Sequence, residues 1–459
     1  MGLFDNLLKY INKDTSLNVN NSIQQIDRTK KNIDINIGLD FGTSFSKVCF
    51  AERKTFNFVK FEKDEFKSSV VYFDKKTLIL YYNKPKECYN IEEIKYFKYS
   101  MIDEDLPKSK NLGNLKYDVK PEILCSIFFL ACLIKESKDY TFKYYNKVIG
   151  DIEINWYITM GVPIDNYDNK NHKLYDRLLI LADKLNSVLK EDSISFEELY
   201  KYYLDNENIK IPEFKESKLN TVPELYAESL SFLQNNNVME GIYLLVDIGG
   251  GTVDMAIMFK EAHNKFSIVS KDIKPLGIEI VTNNIITDIS KNELVKLYLK
   301  NNYNLSSYTY ILEEKEKYYK NSFNTAYATI IAKGLKENGI WKNDIEQALI
   351  KKKGVIEIYI CGGGAKHKWY EDGIWQKNID LYKLLAIGLK LEIKPVEKLL
   401  PKEINHRLLI AYTLAQPVEN IPDLLGFPWH FHTEKIEESV VVTQVKEKPD
   451  VFQIYGEYL

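Results

Sequence analysis

Short apolar stretches recur along the chain in two rhythms, and each ends in a polar or glycine-bearing break. From Asn36 onward INIGLDFG, SKVCFAER, FNFVKFE and SSVVYFD read as successive short strands joined by polar turns. PEILCSIFFLACLIKESKDY changes to helical spacing, with proline at its start. EINWYITMGVP then reads as a buried strand ended by Gly161 and Pro163, followed by the helix HKLYDRLLILADKLNSVL. The charged, tyrosine-rich residues up to Lys218 read as an inserted surface element.

The second half repeats the plan. GIYLLVDIGGGTVDMAIMF predicts two strands around a tight glycine turn, KFSIVSKDIKPLG a third, and GVIEIYICGGGA a last buried strand and turn. IEIVTNNIITDI, KNELVKLYL, the long segment from Thr309 to Asn338 and the closing NHRLLIAYTLAQ carry helical spacing. This alternation of strands and helices predicts an α/β fold, and the likeness of GLDFGTSFSKV to VDIGGGTVDMAI predicts two related halves around a cleft.

Before the first strand, MGLFDNLLKYIN places Leu3, Phe4, Leu7, Leu8 and Ile11 on one helical stripe. Two readings stand open for this stripe: a docking face for a partner or membrane surface through residues 3–11, or a helix packed on its own domain. The expected divisions are residues 1–33 for this helix and a polar linker, 34–220 and 221–402 for two lobes, 403–420 for the closing helix, and 421–459 for a tail. In that tail His430 and His432 have a metal-compatible spacing, but a tucked aromatic segment is the simpler reading.

Composition narrows the function classes. A chain of 459 residues exceeds what one core usually serves. A net charge of −3 and a pI near 6.2 leave no electrostatic footprint for nucleic acid, and none is expected as a partner. Five scattered cysteines, mostly inside apolar runs, predict reduced core thiols and a cytoplasmic protein.

Candidate chemistry lies in the three glycine breaks. A strand that ends in glycine delivers backbone N–H groups to a phosphate without a Cβ in the way. Asp40 and Asp247 stand at two of those strand ends, where a hydrated cation or an attacking water would sit. At these residues the chain resembles the actin, sugar-kinase and 70-kDa heat-shock chaperone ATPase superfamily, most closely divergent chaperone-like members without a client-binding domain. GLDFGTSFSKV resembles the first phosphate loop, DIGGGTVD the second and YICGGGA the adenosine loop, while WYITMGVP, VPELYAESL and NHRLLIAYTLAQ occupy the connecting positions. The likeness spans about residues 36 to 418.

The resemblance implies a two-lobed actin-like ATPase fold of duplicated ribonuclease-H-like halves around a nucleotide cleft, with ATP or ADP and Mg²⁺ as cofactors. Gly42, Thr43 and Ser44 would face the β- and γ-phosphates. Gly249, Gly250 and Gly251 would cradle them from the other side, with a hydroxyl donated by Thr252. Asp40 and Asp247 would hold Mg²⁺ through water, Asp247 would orient the attacking water, and Lys98, preferred over Lys95, would reach the γ-phosphate. Gly362, Gly363, Gly364 and Ala365 would admit the base, with Glu314 and Lys317 on ribose and the other base face. The family's hinge carries an acidic residue before its proline. Here Val222 precedes Pro223 and Glu224 follows it, which predicts a missing carboxylate and slow turnover unless Glu224 supplies it.

The implied function is an ATP-binding, slowly hydrolysing chaperone-like switch whose lobe closure controls a partner protein. Alternatives are an actin-like or pilus-assembly-like scaffold and, third, a small-molecule kinase of the same fold.

Overall fold

The computed structural model describes residues 31–62, 64–86, 90–101, 118–149, 152–163, 172–212, 217–233, 238–260, 266–278, 317–319, 321–323, 325–326, 329–330, 355–364, 390–394 and 406–417. The architecture is mixed α/β with several sheets. The N-terminal stripe, Glu314, Ala365, Cys88 and the histidines of the tail lie outside the described residues.

Two sheets share one strand plan. In the first, β1 (Lys31–Asp40), β2 (Phe45–Glu52) and β3 (Thr55–Phe58) form an antiparallel meander. β8 (Ile152–Val162) and β10 (Leu219–Pro223) extend it in parallel on the β1 side, giving the order β3-β2-β1-β8-β10. In the second, β11 (Gly241–Ile248), β12 (Val253–Lys260) and β13 (Phe266–Lys274) form the meander. β14 (Val355–Cys361) and β15 (Lys390–Lys394) add in parallel on the β11 side, giving β13-β12-β11-β14-β15. β4 (Lys67–Ser68) pairs with β2 off the first path. A third, smaller sheet has the order β7-β5-β6-β9, from β5 (Val70–Asp74), β6 (Ile79–Tyr81), β7 (Ile91–Lys95) and β9 (Ser193–Ser195).

The helices are α1 (Phe97–Ser100), α2 (Pro121–Ile149), α3 (His172–Val188), α4 (Phe196–Asp205), α5 (Glu224–Leu233) and α6 (Leu409–Leu414), the last preceded by a 3₁₀ turn at His406–Leu408. Pro121 opens α2, where its missing N–H costs no helical hydrogen bond. The run Leu124 to Ile134 in α2 is buried throughout and belongs to the same apolar cluster as β1 and α3. No helix among the described residues is long and apolar enough to cross a membrane.

β1 shows how sequence pattern becomes packing. Ile33, Ile35, Ile37 and Leu39 are all buried on one face, while Asn32 and Asp34 on the other are exposed. Further along, that second face is covered by α6. An added Cβ on Gly38 would lie 2.1 Å from the Ala411 carbonyl oxygen, so only glycine permits this approach of helix to strand.

Three expectations are corrected by the architecture. β1 begins at Lys31 rather than near Asn36, and buried Ile33 places the end of the presumed linker inside the core. The segment before Lys218 is not simply a surface insertion, because β9 pairs with β6 and α4 buries Phe196 and Leu199. Phe196 packs edge-on against Phe73 at 6.1 Å between ring centroids. β14 is not the last strand, since β15 follows it.

Candidate active site

One cavity of about 510 Å³ is lined by elements of both strand plans. It is within the range of small-molecule sites. It is lined by the turns after β1, β11 and β14, by α1 and α5, and by the approach to α6.

Cross-strand register places the first charged pair. β1 and β2 align Asp40 opposite Lys47, on one face of the hairpin, and the two side chains form an ion pair of 2.7 Å. Burial alone would lower the pKa of the Lys47 ammonium. The Asp40 charge and hydrogen bond outweigh it and hold the ammonium above its usual value. The turn between the strands is pinned by Ser69, whose hydroxyl donates to the Gly42 carbonyl at 2.7 Å and whose N–H donates to the Ser44 carbonyl at 2.9 Å.

The second hairpin has the same spacing and different chemistry. β11 and β12 align Asp247 opposite Asp254, again on the cavity face. Its turn is held by Gly249 N–H donating to the Thr252 carbonyl at 2.8 Å, and by Gly277 and Ile278 N–H groups donating to the Gly251 and Gly249 carbonyls at 3.1 Å each. Gly362 follows β14 at φ +83°, and an added Cβ would lie 2.0 Å from Asp247 Oδ1. A side chain there would meet both backbone strain and the carboxylate.

Lys98 is delivered by a strained turn. Tyr96 sits at φ +60°, an uncommon conformation for a bulky residue, and swings the chain from β7 into the single turn of α1. Lys98 is 4% exposed and bonds Glu224 Oε1 at 2.5 Å, with its ammonium 5.4 Å from the centre of the Phe41 ring. Lys95, by contrast, is exposed and pairs with Glu93 at 2.8 Å.

Of the two outcomes open for the hinge carboxylate, the geometry favours Glu224. It is the first residue of α5, immediately after Pro223, and its carboxylate lines the cavity. Val222 instead packs in the apolar cluster with Leu225 and Tyr226. A carboxylate at position 222 would have been buried among apolar groups, whereas one at 224 meets Lys98.

The lining holds five carboxylates, Asp40, Glu224, Glu228, Asp247 and Asp254, against three basic groups, Lys47, Lys98 and Arg407. Burial pushes the Asp247 carboxyl up to about 7; Lys47 opposes the shift, and the Glu224 and Asp40 charges add to it. Burial, then the nearby Asp247 charge, holds the Glu228 and Asp254 carboxyls well above the usual range. Glu224 is also raised by burial, with Lys98 opposing. Ser44 Oγ, Asp247 Oδ1 and Asp254 Oδ1 are buried without a hydrogen-bond partner. Such groups mark a place where a bound ligand or ion would complete the bonding.

Of the residues singled out from the sequence, Asp40, Gly42, Thr43, Ser44, Lys98, Asp247, Gly249, Gly250, Gly251, Thr252, Gly362 and Gly363 come together in this lining. Gly364 does not join them; it is buried, and its N–H donates to the Ile248 carbonyl at 2.8 Å. Lys317 is exposed and lies outside the lining. Sequence reasoning passed over Lys47, Glu228, Asp254 and Arg407. Seven-residue spacing from each strand-end aspartate, across turns of equal length, is the signal that could have found Lys47 and Asp254. Glu228 follows Glu224 by one helical turn. Arg407, stacked 4.0 Å from the centre of the Phe66 ring, carried no local signal.

All four described cysteines are buried free thiols. The chain matches no protein-family model and no curated protein, so the functional argument rests on the site itself.

Proposed function

We propose that the protein is an ATP-binding nucleotide switch with ATPase activity, built as two actin-like lobes in the manner of the heat-shock chaperone ATPases, whose closure about nucleotide is read by a partner protein. The observation that carries this reading is the convergence of three glycine turns, each more than a hundred residues from the next, on one cavity that also holds Asp40, Lys98, Glu224 and Asp247. The matched strand plans of the two sheets support a duplicated fold with the cleft between its halves.

In this reading the turn at residues 42–44 and the turn at 249–252 bind the phosphates through N–H groups and the Thr252 hydroxyl. Lys98, held by Glu224, supplies positive charge toward the terminal phosphate. Five carboxylates against three basic groups suit a divalent cation, and Asp40, Glu224 and Asp247, the last with an unpaired Oδ1, are the residues that would hold magnesium through its water shell. Such an ion, when bound, neutralises phosphate charge. Asp247 orients the attacking water, since phosphoryl transfer depends mainly on positioning and charge stabilisation. With Glu224 in place, the ground for slow turnover drawn from Val222 falls away.

Thermal unfolding with Mg·ATP tests the reading. A ligand at 100 times its Kd stabilises by about 2.7 kcal/mol, a shift of several degrees. ATP is expected to raise the melting temperature more than GTP at equal concentration. No shift at millimolar ATP would reject a nucleotide site here, and an equal or larger shift with GTP would reject the adenosine assignment of Gly362 and Gly363.

A further inference from the structure

At one side of the cavity, Glu228 of α5, Asp247 near the end of β11 and Cys361 at the end of β14 converge. One ligand atom from each, two carboxylate oxygens and the Cys361 sulfur, lie within 4.8 Å of one another. Their meeting has a structural cause. β11 and β14 are parallel neighbours with Asp247 in register with Cys361, and α5 packs in the same apolar cluster as Cys361, bringing Glu228 over the pair.

Two further observations point to a ligand. Glu228 is 1% exposed, and its Oε2 has no hydrogen-bond partner; Asp247 Oδ1 is likewise unpaired. Among the described residues the charges acting most strongly on Glu228 are acidic, Asp247 first, then Asp254 and Asp40, and the group opposing them is the Cys361 thiol, which hydrogen-bonds its carboxylate. Lys47 and Lys98 are engaged elsewhere, with Asp40 and Glu224 respectively. A buried carboxylate without a cationic partner is stable only if it takes a proton or a metal.

We infer that Glu228, Asp247 and Cys361 form a site for a borderline-soft divalent metal, Zn²⁺ in the first place, with an open fourth position toward the cavity. Two carboxylates and a thiolate carry three negative charges against the ion's two positive ones. Three protein ligands with one open position are the arrangement of catalytic rather than structural zinc sites. Sulfur among the ligands selects zinc, cobalt or similar ions over magnesium, which prefers oxygen alone and keeps its waters. Metal–ligand bonds of about 2.0–2.3 Å place tetrahedral ligand atoms roughly 3.5 Å apart, so the three side chains close by about an ångström on binding. The Cys361 sulfur, which now lies 3.6 Å from the Val246 carbonyl, gives up its proton to solvent in the process. Asp247 and Glu228 both line the cavity, which provides the way in. The site shares Asp247 with the proposed nucleotide site, but the observations it is drawn from do not depend on the ATP reading.

The test uses the full-length, reduced, nucleotide-free protein titrated with Co²⁺. The expected result is a near-ultraviolet thiolate-to-cobalt charge-transfer band that saturates at one equivalent, is displaced by one equivalent of Zn²⁺ and resists millimolar Mg²⁺. Cys361→Ser removes that band, and Glu228→Gln weakens cobalt binding by at least the roughly 10–100-fold that loss of an outer-shell partner causes. On wild-type protein loaded with zinc, X-ray absorption is expected to show one sulfur neighbour at about 2.3 Å among oxygens. That measurement holds even if a variant folds poorly. No charge-transfer band, a band that survives Cys361→Ser, or a zinc shell without a single sulfur each overturns the site and leaves a protonated Glu228 in its place. Because nucleotide is left out, any of these outcomes leaves the ATP reading standing.

Discussion

The hairpins β1–β2 and β11–β12 occupy the same place in two sheets of the same strand order, and they differ in one respect that matters. Each has a charged residue at the end of its first strand and another seven positions later, directly opposite. In the first hairpin the pair is Asp40 and Lys47, and it neutralises itself. In the second it is Asp247 and Asp254, two carboxylates face to face on a wall that also holds Glu228. Opposite charges across a strand pair stabilise, and like charges destabilise. Backbone geometry thus makes two equivalent positions, and side-chain chemistry makes one half electrostatically complete while the other requires protons or cations from outside.

The comparison breaks most directly at Lys47. Lys47→Met keeps most of the aliphatic stem and strips Asp40 of its partner, and losing one member of a buried pair costs about 3 kcal/mol. Urea unfolding of the nucleotide-free protein at neutral pH is expected to show that loss. A change under about 1 kcal/mol would mean that the first hairpin does not depend on its own ion pair.

A comparable effect is expected in chemistry rather than stability. Under the proposed function, Asp247→Asn leaves ATP binding largely intact and lowers single-turnover hydrolysis by about 10²-fold, as does Glu224→Ala, the loss of one positioning group being worth roughly 2.7 kcal/mol of barrier. Asp40→Asn should weaken binding of Mg·ATP as well. Wild-type hydrolysis by Asp247→Asn would remove that residue from its role.

The smallest effect sharpens the contrast through pH. The Asp247 carboxyl titrates near 7 in the folded protein, against roughly 3.9 when unfolded, and Glu228 and Asp254 are shifted the same way. The folded state therefore binds more protons than the unfolded state over that interval. Stability of the nucleotide-free protein should fall as pH rises from about 4 to about 7. Asp254→Asn is expected to flatten the slope and add up to about 1 kcal/mol near neutral pH, the opposite sign to Lys47→Met. If both substitutions change stability in the same direction, the two hairpins are not the complementary pair described here.

The parts of the site legible in the sequence were those with local causes. A strand that breaks into glycine is written in a dozen consecutive residues, and all three turns could be found that way. So could Asp40 and Asp247, fixed to those turns by their position at strand ends. The choice between Lys95 and Lys98 was less accessible, because it hangs on Tyr96 at φ +60° turning one lysine inward and leaving the other on the surface. The choice between a missing acid and Glu224 is undecided in the sequence for a similar reason. The proline beside it suggested where the acid should stand, but the start of α5 immediately after β10 sends residue 222 into the core and residue 224 into the cavity.

By itself, then, the sequence determined the alternation of strands and helices, the recurring strand–glycine-turn–strand pattern and the placement of three glycine turns, because hydrophobic period and the absence of a Cβ act over a few residues. Tertiary structure alone decided that Lys98 meets Glu224 across 126 positions, that Asp247 faces Asp254 rather than a lysine, and that Glu228 and Cys361 close on the same carboxylate. Those meetings depend on strand register and on one helix packed over a sheet. Their energies come from burial and from charges a few ångströms apart, and neither exists until the chain has folded.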